Sequence, residues 1–413
     1  MWRIESPRIV GALARYTGDF AMAEDLAQEA LAEALVSWPR DGVPRQPAGW
    51  LLTVGRRRAI DAFRRRSALD ERYAALAADL DEGQAASGSA PAREEDEVLY
   101  DPERIDDDVL ALIFISCHPV LSREASVALT LRVLGGLTSD EIARAFVTPT
   151  ATVQARITRA KRTLAAAQVP FEVPPLDERR ERLSAVLSVV YLIFTEGSSA
   201  TSGSEWIRTD LAREAIRLAR VLARLVPGEP ETLGLLALLE LTAARFPARV
   251  RDDGSPVLLE DQDRRRWDRA AIRRGRAALA AAGRVGRGLG AYGLQAAIAE
   301  CHAIAPSVAD TDWDRIVLLY DALGSLAPSP IVELNRAVAV SMASGPAAAL
   351  PIVDALIAAG SLSDSHLLPG VRGELLTRLG RTDEARTELE AAVRLCASER
   401  ERDVLLAKLR ALG

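Results

Sequence analysis

Arginines and acids placed at helical spacing are the residues of this chain best suited to chemistry. In the run LRVLGGLTSDEIARAFVTPTATVQARITRAKRTL, Val153, Ile157, Ala160 and Leu164 recur at steps of four, three and four residues. That period puts them on one face of a helix, which must pack inward. Thr152, Ala155, Arg159 and Arg162 then fall on the opposite face. Small residues near the start of such a helix let it enter a DNA major groove. The arginines further along can reach phosphates or guanine edges. Just upstream, Thr138 and Glu141 have capping-box spacing, so a helix is expected to begin there and to end at Phe146. Thr148 then reads as an N-cap, with Pro149 at the first helical position. The outline is a helix-turn-helix. The plainer alternative is a helical hairpin with a solvated basic face.

Two other stretches carry charge in a pattern. RRRAIDAFRRR holds Arg56, Arg57, Arg58, Arg64, Arg65 and Arg66 around Asp61, with Trp50 and Phe63 in the same stretch. Arginines can track phosphates while aromatic rings stack on unpaired bases. A tryptophan packed on an amphipathic helix accounts for Trp50 equally well. Upstream, Asp25, Glu29 and Glu33 stand four residues apart and form one acidic stripe. Such a stripe suits a basic protein partner, or is simply a solvated face.

Other chemistries find little support. Cys117-His118 and Cys301-His302 repeat a dipeptide, but neighbours on a helix point about 100° apart and chelate one metal poorly. Three Cys in 413 residues suit a reducing compartment rather than a disulfide framework. No Walker loop is present. The Gly-rich runs at 283–293 and 197–204 read as loops, since no strand precedes them. No nucleophile or acid–base constellation stands out. The expectation is a binding protein rather than an enzyme, with no cofactor and no metal.

The elements that must position these residues are helices. Apolar residues make up 49% of the chain and aromatics only 5%, with Ala, Leu and Arg in every window. That mixture favours an all-α fold. Helices are expected over 6–15, over 21–38 with Pro39 as its stop, and over 47–66. Residues 67–105, small, polar and acidic, read as a flexible linker. Helices resume over 106–168, and Pro170, Pro174 and Pro175 mark a stiff boundary. About ten helical segments follow over 171–413. There Ala215, Leu222 and Pro227, and again Leu376, Leu379, Gly380, Ala385 and Ala392, echo tetratricopeptide spacing. The expected organisation is therefore two small helical domains, 1–66 and 106–170, joined by the linker and followed by a larger repeat-like domain, 171–413.

The net charge of −6 hides a block pattern. Residues 1–66 carry 11 Arg against 8 acids, 67–108 carry 3 Arg against 14 acids, and 109–170 carry 7 basic residues against 3 acids. Two basic blocks thus flank an acidic tether. The longest uncharged run, 337–353, is broken by Gly345, Pro346 and Pro351 and is too short to span a bilayer. The start has no signal-peptide shape, so a cytoplasmic protein with no membrane partner is expected.

Taken in order, MAEDLAQEALAEAL, PAGWLLTVGRRRAIDAFRRR, an acidic linker and a helix-turn-helix resemble the extracytoplasmic-function group of bacterial RNA polymerase sigma factors. The resemblance covers 1–170. It implies that the AEDLAQEA segment, through Glu24, Asp25, Leu26, Gln28 and Glu29, binds the clamp helices of the polymerase β′ subunit. It implies that Trp50, Arg56, Arg57, Arg58, Asp61, Arg64 and Arg65 melt and read the −10 element of promoter DNA. It implies −35 contacts from Thr150, Thr152, Ala155, Arg156, Arg159, Lys161 and Arg162. The sequence departs at Gly55-Arg56-Arg57-Arg58, where the family usually has Ala-Arg-Asn. Segments such as LSVVYLIFTEG, LLEDQDRRRW and RLGRTDEA resemble the sub-group with a long tetratricopeptide-like extension, again with departures at Thr195 and Ser198. The extension is expected to offer a surface for a protein or peptide partner, and its short proline-rich junction to hold it near the helix-turn-helix. The alternatives are a stand-alone helix-turn-helix regulator with a helical sensing domain, and an interaction scaffold.

Overall fold

The computed structural model describes residues 2–78, 102–146, 148–198, 209–251, 257, 259–396 and 399–412. Among them there are eighteen α-helices, three short 3-10 turns and no strand. The all-α expectation holds. The chain forms two compact units, Met1–Val190 and Tyr191–Gly413.

The first unit is built from α1 (Trp2–Thr17), α2 (Phe20–Asp41), α3 (Pro47–Ala78), α4 (Pro102–Ser116), α5 (Arg123–Val133), α6 (Ser139–Ala145), α7 (Thr150–Ala166) and the first part of α8 (Leu176–Ser198). Its core holds Ile9 and Leu13 of α1, Leu51 of α3, Leu112 and Phe114 of α4, Leu129 and Leu131 of α5, and Ile142 of α6, all buried. At Gly55 a Cβ would come within 2.8 Å of the Leu13 side chain. The departure from alanine at this position therefore lets α3 lie close on α1.

Helix ends differ from the expectations in instructive ways. α2 runs through Pro39 and stops only at Gly42, whose φ of +83° favours glycine and whose N–H donates to the Trp38 carbonyl. α3 continues past Arg66 to Ala78, into the stretch expected to be linker. The sequence there, ERYAALAA, is rich in helix formers and has no breaker before Gly83. The rest of that stretch, 79–101, lies outside the described residues. The proline-rich boundary near 170 does not divide the units either; the division falls inside α8, between Val190 and Tyr191.

The second unit continues α8 and adds α9 (Thr209–Leu225), α10 (Pro230–Ala243), α11 (Arg269–Arg284), α12 (Ala291–Ile304), α13 (Trp313–Leu326), α14 (Pro330–Ser344), α15 (Pro346–Ala358), α16 (Leu367–Arg378), α17 (Thr382–Leu395) and α18 (Glu399–Ala411). One core gathers Ala237 and Leu241 of α10, Trp267, Ile272 of α11 and Ala296 of α12. A Cβ at Gly234 would come within 2.6 Å of the Gly293 nitrogen, so α10 and α12 meet backbone to backbone. Another core joins Leu334 and Leu350 of α14 and α15 to Leu376 and Ala385 of α16 and α17. Residues with repeat-like spacing vary in burial. Ala215, Leu222, Ala385 and Ala392 are buried, and Gly380 turns the chain between α16 and α17 at φ +73°.

Candidate functional site

The helix-turn-helix forms as its local chemistry requires. Thr138 Oγ1 accepts from the Glu141 N–H while the Glu141 carboxylate accepts from the Thr138 N–H, completing the capping box. Phe146 caps α6 as expected. The start of α7 lies one residue later than the sequence suggests. Pro149, extended at ψ 140°, is the N-cap, and Thr150 is the first helical residue. Thr148 therefore does not cap the helix. Thr150 Oγ1 instead donates to Asp140 at 2.8 Å, tying the two helices together.

Val153, Ile157, Ala160 and Leu164 are buried as their period demands. Ala155, Arg159 and Arg162 are exposed, while Thr152 and Arg156 are half-buried. Lys161 behaves differently from its neighbours. Its side chain is 13% exposed, and its ammonium donates to Asp25 Oδ1 at 2.7 Å and to Glu24 Oε2. Glu24 is buried, and its other oxygen accepts from Arg132 Nε of α5 at 3.1 Å. Burial pulls the Lys161 ammonium down, but Glu24 and Asp25 outweigh it and hold its pKa above the ordinary value. A residue expected at the DNA face thus binds two residues expected at the polymerase face.

The α2 stripe is engaged further along as well. Arg58 of α3 donates to Glu29 at 2.8 Å and to Glu33 at 2.7 Å, and the hydrogen bond to Glu33 is the largest influence holding the Arg58 pKa up. Leu26 is buried, Gln28 is half-buried, and Asp25 and Glu29 stay exposed. Of the α3 set, Arg57, Asp61, Arg64 and Arg65 are exposed. Arg56 lies over the Tyr16 ring at 5.2 Å. Trp50 meets Trp38 edge to face at 5.5 Å, so its ring packs on protein on at least one side.

The three cysteines are buried. Burial pushes the Cys117 thiol up to about 12, which leaves it a packing group bonded to Thr130 rather than a nucleophile. Burial, with Arg245 and Arg264 nearby, pushes His302 down to about 4. Neither dipeptide belongs to a cluster of three donor side chains among the described residues. A different trio, His366, Cys396 and Glu401 of the second unit, brings its donor atoms within 4.8 Å of one another. Their separation along the chain gave no spacing signal. No helix of the described residues is long and apolar enough to cross a membrane.

Sequence reasoning also missed a cavity of about 760 Å³ in the second unit. Arg245, Arg249 and Arg378 line it. Arg245 and Arg249 flank a single 3-10 turn just after α10, and the four-residue step between them was the only signal in the sequence.

Comparison with known proteins agrees with this anatomy. Residues 1–68 match Sigma-70 region 2, and residues 111–164 match Sigma-70 region 4. Residues 182–283 match a family of unknown function, DUF6596. An uncharacterized protein of Rhizobium meliloti (strain 1021) is 46% identical over 398 residues, covering 96% of this chain and 91% of that protein. Regions 2 and 4 lie in the first unit, and the DUF6596 match begins within α8 and continues into the second. With both sigma regions in order and a helical extension behind them, the chain belongs to the family of extracytoplasmic-function-like sigma factors that carry a C-terminal DUF6596 extension.

Proposed function

We propose that this sigma factor binds core RNA polymerase through the α2 stripe and directs it to promoters by reading a −35 element with α7 and a −10 element with α3. The carrying observation is α7 itself, with Ala155, Arg159 and Arg162 exposed above a buried Val153, Ile157, Ala160 and Leu164 stripe. Asp25 and Glu29 are exposed acids of α2, held by Lys161 and Arg58, that a basic partner such as the β′ clamp helices would compete for. Arg57, Arg64 and Arg65 are exposed cations of α3. The second unit serves as an interaction module.

In the conformation described, Lys161 is committed to Glu24 and Asp25, so α7 and α2 are bound to each other. Engaging polymerase through Asp25 and DNA through Lys161 requires that tie to break. The deciding test is transcription by core polymerase from a −35-dependent promoter, with gel shifts run with and without core. Arg159→Ala is expected to cost about 1–3 kcal/mol of promoter binding and to relax one −35 position if it reads a base edge. Paired Asp25→Lys and Glu29→Lys substitutions should sharply lower core affinity with helicity unchanged. Lys161→Met, which frees the α2 acids without altering them, should raise it. Specific duplex binding without core would instead indicate a stand-alone regulator.

A further inference from the structure

Several arginines of the second unit have carboxylate partners. Arg220 and Arg274 share Glu240, Arg217 takes Glu214, Arg336 takes Asp321 and Glu333, and Arg372 takes Asp354 and Glu388. Arg245 and Arg249, both half-buried, and the exposed Arg378 differ. Among the described residues none of the three pairs with a carboxylate, although all line the one cavity. Arg245 Nε donates to Gln262 Oε1 at 3.4 Å, and its guanidinium lies 5.6 Å from the Trp267 ring. Arg249 donates to the Ser198 carbonyl at 2.9 Å. Arg378 donates to Ser341 Oγ at 2.7 Å. All these acceptors are neutral.

Holding the half-buried Arg245 and Arg249 side by side, partly away from water, is costly. Burial, then Arg249 and Arg264, pull the Arg245 pKa down to about 10. Burial also lowers that of Arg249. Of the acids on the cavity wall, Glu374 pairs with Lys408, Glu401 contacts His366 and Glu260 is exposed, and among the described residues none pairs with Arg245, Arg249 or Arg378. Val338 and Met342 are exposed apolar side chains on the same lining, with Met342 Sδ 3.7 Å from the Arg378 guanidinium. A volume of 760 Å³ falls in the range of small-molecule sites.

We propose that this cavity is a binding site for a small amphipathic organic anion, whose oxyanion head is taken by Arg245, Arg249 and Arg378 and whose apolar body lies against Val338 and Met342. Fork-shaped guanidiniums suit carboxylate, phosphate and sulfonate heads alike. The head and the body together define the class, which separates it from free inorganic anions and from uncharged lipids.

The test uses the full-length protein and 1-anilinonaphthalene-8-sulfonate as a fluorescent probe with both features. Saturable binding is expected, displaced by decanoate and by octyl phosphate but not by decanol. Arg245→Met with Arg249→Met should weaken probe binding about ten- to a hundredfold, the loss of charge-assisted hydrogen bonds. The same variant should melt no lower than the parent, because apolar replacement of unpaired buried charge is neutral or stabilising. If it fails to fold, Arg378→Met on α16 makes the same measurement from another element. Displacement by decanol as good as by decanoate, displacement by inorganic phosphate alone, or full probe affinity in the arginine variants would overturn the proposal.

Discussion

Two charge clusters, one in each unit, are built in opposite ways. In the first, the Lys161 ammonium meets Glu24 and Asp25, and Arg132 completes the Glu24 carboxylate, so cations and anions come from the same chain. In the second, Arg245, Arg249 and Arg264 gather around Trp267 and Phe246 with carbonyls, an amide and aromatic faces as partners. A closed set of charges holds two elements of one chain together and opens only when something competes for its members. An unbalanced cationic set gains most from an anion brought from outside. The first arrangement fits a protein that must rearrange to engage polymerase and DNA, and the second fits a ligand site.

The sharpest way to break the contrast is to unbalance the first unit. Glu24→Ala leaves Arg132 and Lys161 without their buried partner and should cost about 3–5 kcal/mol in denaturant unfolding. Converting Glu24, Lys161 and Arg132 together to Leu, Met and Met should recover most of that loss. A small effect of Glu24→Ala would mean that the cluster is not closed.

The next effect belongs to the second unit and acid pH. His302 is half-buried, its Nδ1 has no hydrogen-bond partner, and Arg245 and Arg264 lie near it. With its folded pKa near 4 against an ordinary 6.5, the unfolded chain binds more protons between those values. Stability from neutral His302 is therefore complete above pH 6.5 and is lost as pH falls towards 4, at most about 3 kcal/mol. His302→Phe keeps the edge contact with the Trp313 ring and should flatten that part of the pH–stability curve. An unchanged slope would show that other groups drive the acid response.

The smallest effect tests a charge network at the surface. Arg58 bridges Glu29 and Glu33, but its side chain is 36% exposed and solvent screens it. Arg58→Ala should cost under about 1 kcal/mol. Its value lies in the difference from Glu24→Ala, since both remove a member of an acid–base cluster in the same unit and differ mainly in burial.

Local features of the fold were legible in the amino-acid sequence. The capping box of Thr138 and Glu141, the buried stripe of α7 and the turn at Gly380 each depend on residues within a few positions of one another, where helical period and propensity decide the outcome. The sites ruled by packing were not legible in the same way. Lys161 follows the polar period of α7, yet its ammonium is claimed by α2, more than a hundred positions away. Pro39 and Arg66 looked like helix ends, and the helices run past both. The arginine cavity joins the end of α10 to α14, α16 and α18. Spacing reports which face of one helix is apolar; it carries no information on which distant side chain meets a given charge. That choice belongs to tertiary packing, because the cost of burying a charge depends on every group brought within a few ångströms of it.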